Sequence, residues 1–141
     1  MKKILIINSN YYKKISNNLV FNAKNKLLKV KYKVEILEVP GVHEIPIAIR
    51  KHIKKFDAFI ALGCVIKGQT PHFDLICSST FHALMNISVN FNKPVGNGII
   101  TALNLNQAYQ RSKIKVSKKT NKGAEAANAV ISILNNGPKK I

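Results

Sequence analysis

Four short apolar runs alternate with segments of helical periodicity, and this alternation limits the fold more than any other feature of the chain. Lys3 to Ile7 is β-branched and apolar, the content of a strand buried on both faces. Ile15, Leu19, Ala23 and Leu27 then recur at helical spacing, with Ser16 near the start as a cap. Lys33 to Val39, apolar at Val34, Ile36 and Leu37, reads as a second strand that Pro40-Gly41 breaks. Pro46 suits the first turn of a helix carrying Ile49 and Ile53 to about Lys55. Asp57 to Ile66 is the clearest strand. Gly68 ends it and Pro71 opens the longest helix, with Phe73, Ile76, Cys77, Thr80, Leu84, Ile87 and Phe91 on one face. Lys93-Pro94 turns the chain into a fourth strand, Val95 to Thr101. Helices follow at about Asn104 to Arg111 and Asn121 to Leu134, the second facing inward with Ala124, Ala127, Ile131 and Leu134. Residues 135 to 141 read as a frayed tail.

Strands that alternate with helices build a parallel sheet, because parallel neighbours need a crossover and a helix supplies it. The expected architecture is α/β: a three-layer αβα sandwich around a four-stranded parallel sheet, one domain over residues 1–141. An apolar share of 46% lets such a chain bury a core without disulfide or metal staples. Cys64 and Cys77, in apolar surroundings, are expected to be small buried hydrophobes. The longest apolar run, Ala58 to Ile66, is too short to span a bilayer, so no membrane partner is expected. Lys2 and Lys3 are followed by only Ile4 to Ile7, too little for a signal-peptide core, and the expected location is the cytoplasm.

Lys and Arg number 23 against 6 acids, a net charge of +17, which raises nucleic acid as a partner. All but two of those cations, Arg50 and Arg111, are lysines spread along the chain. Asn and Ile are inflated beside Lys, and all three have A/T-rich codons, so compositional drift accounts for the bias. An RNA-binding module calls for Arg-rich or aromatic-interleaved basic patches, and none is present. No nucleic-acid partner is expected on these grounds.

Ligands of open α/β sheets bind beyond the carboxyl ends of the strands, near the point where strand order reverses. Asn8 to Tyr12, Gly41 to Pro46 and Gly68 to Asp74 are the polar, glycine-punctuated segments that fall there. The third joins a buried strand to a long helix, where free N–H groups and the helix dipole favour an anion. It also reads as an ordinary helix start, with Thr70 as cap and Pro71 in the first position. His72, in the first turn beside that anion site, suits proton transfer. No phosphate loop or dinucleotide fingerprint occurs, the four histidines lack zinc spacing, and six acids make a carboxylate cage a poor expectation. Neither metal nor cofactor is expected.

Three segments carry a resemblance to a known family: Val39-Pro40-Gly41-Val42-His43-Glu44-Ile45-Pro46, Ala61 through Asp74, and Asn121-Lys122-Gly123-Ala124-Glu125-Ala126-Ala127. In this order they resemble the signature segments of the lumazine synthases, from about Lys2 to Leu134. The resemblance implies a flavodoxin-like fold and a transferase of riboflavin biosynthesis. Its reaction condenses 5-amino-6-(D-ribitylamino)uracil with 3,4-dihydroxy-2-butanone 4-phosphate and releases phosphate and water, without metal or cofactor.

The resemblance also assigns residues. Tyr11 would stack on the pyrimidine, Val42, His43 and Glu44 would hold the ring and ribityl chain, and Cys64, Val65 and Ile66 would offer backbone groups. Gln69, Thr70 and Arg111 would bind the phosphate, His72 would move protons, and Lys122 would lie near the site. Asn97 stands near the ring where the family often has phenylalanine, His43 replaces a usual large aromatic, and Asn10 a frequent arginine. A flavodoxin-like nucleotide- or flavin-binding protein without turnover would leave Gln69-Thr70-Pro71-His72 and Arg111 unexplained. The family shares each site between neighbouring subunits and associates in places with riboflavin synthase. A free pentamer is expected rather than a sixty-subunit shell, because the first strand begins almost at once, the segment from Arg111 to Asn121 exceeds the tight turn of shell formers, and each copy is highly charged.

Overall fold

A computed structural model describes residues 1–115 and 121–141. The strands are β1 (Lys3–Ser9), β2 (Lys33–Val39), β3 (Ala58–Ile66) and β4 (Val95–Ala102), all parallel in the order β2-β1-β3-β4. The helices are α1 (Lys13–Lys29), α2 (Ile45–His52), α3 (His72–Phe91), α4 (Leu105–Ser112) and α5 (Lys122–Asn135), with a 3-10 turn at Val42–Glu44 before α2.

Strand side chains alternate between two cores. Ile4, Ile6, Ile60 and Leu62 meet Leu19 and Leu27 of α1, Ala108 of α4 and Ala127 of α5. Leu5, Ile7, Phe59 and Ala61 point the other way, to Ile45 and Ile49 of α2 and Leu84 of α3. Helices therefore cover both faces, giving the expected three-layer, flavodoxin-like sandwich. From β1 the chain crosses one face through α1 to reach β2, then crosses the other through α2 to reach β3. The order reverses between β1 and β3, which opens a crevice at their carboxyl ends.

Several local expectations shift. β1 runs on through Asn8 and Ser9 because the buried Asn8 amide donates to both carboxylate oxygens of Glu38, at 3.0 and 3.2 Å, on the neighbouring strand. Ser16 is no cap: α1 begins directly at Lys13, and the buried Ser16 hydroxyl donates to the Ser9 carbonyl at 2.5 Å. Pro71 occupies the cap position of α3 rather than its first turn, and Thr70 Oγ1 accepts from the His72 amide at a long 3.4 Å.

The inner face of α3 is shallower than its periodicity suggests. Only Thr80 and Leu84 are buried; Phe73, Ile76, Cys77 and Ile87 are half-buried, and Phe91 lies 39% exposed under the Arg50 guanidinium. Cys77 is thus not the buried hydrophobe expected, whereas Cys64 is. The cause is position: α3 lies toward β4, the sheet edge, and among the described residues no further strand extends the floor beneath it. On the other face α5 sits closer than expected, burying Ala126 and Val130 while Ile131 and Leu134 stay half-buried. Gly96 permits that approach, since a Cβ there would come within 2.5 Å of the Ala126 carbonyl oxygen. α5 extends through Asn135, whose side chain accepts the Tyr32 hydroxyl at 2.6 Å, so the irregular tail starts one residue later. The segment expected to be long, between Arg111 and Asn121, falls largely on residues 116–120, outside the described residues.

Candidate active site

A groove of about 470 Å³ opens at the carboxyl ends of β1 and β3, at the reversal of strand order. Its walls include Tyr11, the 3-10 turn Val42-His43-Glu44, the end of β3 at Cys64-Val65-Ile66, and His72 at the start of α3. Eight residues expected at the site thus meet in one cavity. Ser9, Tyr12, Gly41 and Ile76 line it as well, and sequence reasoning did not single them out as site residues. Adjacent Tyr11 and Tyr12 were a usable signal for the second ring; Ile76 carried none, because it reads as ordinary helix core.

Strand alternation decides what β3 offers. The Phe59 amide donates to the carbonyl of Pro94, just before β4, and the Lys67 amide to that of Ala102 at its end, at 3.0 and 2.9 Å. Residues of the same parity, Val65 among them, therefore direct their peptide groups at β4. Those of Cys64 and Ile66 point the opposite way, past the last β1–β3 pair, Asn8 with Leu62. Their amides and carbonyls face the groove where β1 has ended, while Val65 contributes its side chain. Gly63 lets this floor close: a Cβ there would sit 2.8 Å from Val42 Cγ1 and 2.9 Å from Ser9 Cβ.

One end of the groove adjoins the turn into α3. No side chain caps that helix, Pro71 has no amide hydrogen, and Gly68, Gln69, Thr70 and His72 are exposed. Beyond the long His72–Thr70 bond, the Phe73 and Asp74 amides are left to a ligand or water, although Asp74 already places an acid beside them. Burial pushes the Cys64 thiol up to about 11. The Tyr12 hydroxyl is raised too, by burial first and then by Cys64 and Tyr11. Neither group is a ready anion at neutral pH, so the proton carrier in this groove has to be sought elsewhere. Among the described residues no cluster of three His, Cys, Asp or Glu side chains could hold a metal.

The model of the 6,7-dimethyl-8-ribityllumazine synthase family matches residues 1–137. The chain belongs to that family. A relative of that name from Campylobacter jejuni (strain 81-176) is 43% identical over 138 residues, covering 94% of this chain and 88% of the relative. One from Methylorubrum populi is 37% identical over 139 residues, covering 94% and 80%. One from Bartonella tribocorum is 37% identical over 133 residues, covering 92% and 88%.

Four residues expected at the site do not line the groove of a single chain, nor does Lys122, expected nearby. Gln69 and Thr70 lie just outside, in the turn before α3. Arg111 sits exposed on α4, its Nη1 donating to the Gln107 carbonyl at 3.3 Å. Lys122 opens α5, within 3.7 Å of Glu125. Asn97 is exposed on β4, in register with Ala61 and so well short of the strand's carboxyl end. Within one chain, Arg111, Lys122 and Asn97 therefore stand apart from the groove. Among the described residues no helix is long and apolar enough to cross a membrane.

Proposed function

We propose that the groove between Tyr11, the Val42–Glu44 turn, the end of β3 and His72 is where this chain forms 6,7-dimethyl-8-ribityllumazine. The substrates are 5-amino-6-(D-ribitylamino)uracil and 3,4-dihydroxy-2-butanone 4-phosphate, and the step belongs to riboflavin biosynthesis. One observation carries the reading: residues from four separate segments, each with a part in this chemistry, converge on a single cavity at the strand-order reversal.

Tyr11 stacks on the pyrimidine, and the outward-facing peptide groups of Cys64 and Ile66 hydrogen-bond its edge. Val42 and His43 flank the ring, and the Glu44 carboxylate accepts from ribityl hydroxyls. The butanone phosphate lies against Gln69, Thr70 and the uncapped start of α3, with Arg111 closing on it as a bidentate fork. The amine attacks the ketone, and loss of water from the carbinolamine gives an imine. Phosphate leaves, the enol tautomerises, and ring closure expels a second water. His72 carries protons through these steps, and the helix start and Arg111 stabilise the departing phosphate. Holding both substrates together supplies much of the remaining acceleration.

The same reading makes the enzyme a cytoplasmic single-domain protein that works as a pentamer, with Arg111, Lys122 and Asn97 completing sites across subunit contacts. Association with riboflavin synthase, the consumer of the product, belongs to it too. Purified protein mixed with both substrates should give green lumazine fluorescence with stoichiometric phosphate. Absence of either product, from folded protein at saturating substrate, refutes the assignment.

A further inference from the structure

The lysines that lie scattered along the sequence are gathered by the fold. The amino ends of the strands form one face of the sandwich, opposite the groove. Lys26, Lys29 and Lys31 end α1 there, and Lys2 and Lys33 flank the starts of β1 and β2. Lys51, Lys54 and Lys55 end α2 on the same side, and all eight are exposed. Backbone hydrogen bonds lock these segments together: the Lys33 amide donates to the Lys2 carbonyl at 2.9 Å, and the Asp57 amide to the Lys3 carbonyl at 2.8 Å.

Acids are distributed the opposite way. Glu38, Glu44, Asp74 and Glu125 lie toward the groove end, leaving Glu35 and Asp57 near the basic face. Both of those are engaged by Lys3: its ammonium lies 3.0 Å from Glu35, and its amide donates to Asp57 at 2.7 Å. None of the eight exposed lysines has an ion-pair partner among the described residues.

We propose that this amino-end face docks the phosphate backbone of nucleic acid without reading sequence. Lysines from β2 to β3 span two strand spacings, about 10 Å, against a duplex carrying one charge per roughly 1.7 Å of axis. Lysine is a point charge that neutralises phosphate and carries no bidentate base preference. Of the aromatic rings at this end, Tyr32 and Phe56 are buried and Phe91 lies under the Arg50 guanidinium, which leaves no open platform for stacked bases. A lipid surface is the poorer fit, because helices and strands meet this face end-on and none lies flat to sink an apolar flank.

The test uses the full chain and a fluorescently labelled duplex DNA of mixed sequence, titrated over a salt series. Binding should weaken with salt on a logarithmic slope of about −4 to −5, the release expected when about five lysines engage. The triple variant Lys29→Glu, Lys31→Glu, Lys33→Glu should lose affinity at least about tenfold at fixed salt, by the same counterion argument. A control triple with equal charge change at the other end, Lys13→Glu, Lys14→Glu, Lys67→Glu, should lose much less. The Gln versions of the amino-end triple, which add no new charge, should rank between wild type and the Glu set. Equal weakening by both triples, no binding at low salt, or tighter binding to phosphatidylserine vesicles than to DNA would each overturn the proposal.

Discussion

The rings of Tyr11 and Tyr12 stand edge to face at the groove, centroids 5.0 Å apart and planes at 74°. Their surroundings divide the labour: Tyr11 is 73% exposed, whereas Tyr12 is half-buried and packs on the α1 core. Tyr11→Ala should therefore leave thermal stability nearly unchanged and raise KM for the pyrimidine substrate about five- to tenfold, the worth of one aromatic stack. Tyr12→Ala should lower the melting temperature as well. If Tyr11→Ala binds the pyrimidine normally in a titration, the stacking role is wrong.

His72 is exposed at the helix start and holds no other residue in place through its ring. Its replacement by Ala should slow turnover by about one to two orders of magnitude, within the range for one general acid–base group. Substrate affinity and melting temperature should hardly move. Unchanged turnover would identify a different proton carrier.

Arg111→Lys keeps the charge and removes the planar fork. KM for the butanone phosphate should rise by about tenfold, the scale of one lost charge-assisted hydrogen bond, with little change for the pyrimidine. Steady-state kinetics with each substrate varied in turn decides this. Equal weakening toward both would point to a folding defect.

Much of this site was legible in the sequence because its parts lie in local segments with strong punctuation. Pro40-Gly41, Gly68 and Pro71 mark where strands stop, and in an α/β sheet the chemistry gathers at those stops. The errors arose where a distant partner overrides a local signal. Asn8 reads as the beginning of a loop, yet Glu38 on another strand accepts from its side-chain NH2 group and keeps it in the sheet. Ser16 has the composition of a cap, but the Ser9 carbonyl claims its hydroxyl. The periodicity of α3 gives the direction of its inner face and is silent on depth, which depends on what lies beyond β4.

The Cys64 thiol gives a pH signature. Its folded pKa of about 11 lies above the ordinary value of 9.0, so burial favours the protonated form. Between those values the unfolded chain loses a proton that the folded chain keeps, and stability must fall as pH rises. Below pH 9 both states keep the proton and the thiol makes stability no more pH-dependent. The melting temperature should drop between pH 9 and 11, and more shallowly in Cys64→Ala, with the two slopes compared by calorimetry. Identical slopes would mean that the thiol is not shielded.

The outer stripe of α3 presents Leu75, Met85 and Val89 to solvent, Val89 at 70%, beside the open edge of β4. A second apolar hollow of about 440 Å³, lined by Val89, Pro94, Val130 and Ile133 among others, adjoins it. Contiguous apolar surface of this kind marks an interface, and an interface here would bring a neighbour to the edge that carries Asn97. Closed rings satisfy such a contact with modest charge; a shell would crowd many copies at +17 each, a repulsion that salt only partly screens. Light scattering should give a particle of about five times 15.7 kDa for the wild type. Val89→Glu, which buries a charge in that contact, should shift the mass toward 15.7 kDa and abolish turnover while circular dichroism stays native. A wild-type particle near a megadalton would exclude the free ring, and an active Val89→Glu monomer would exclude sites completed by a neighbour.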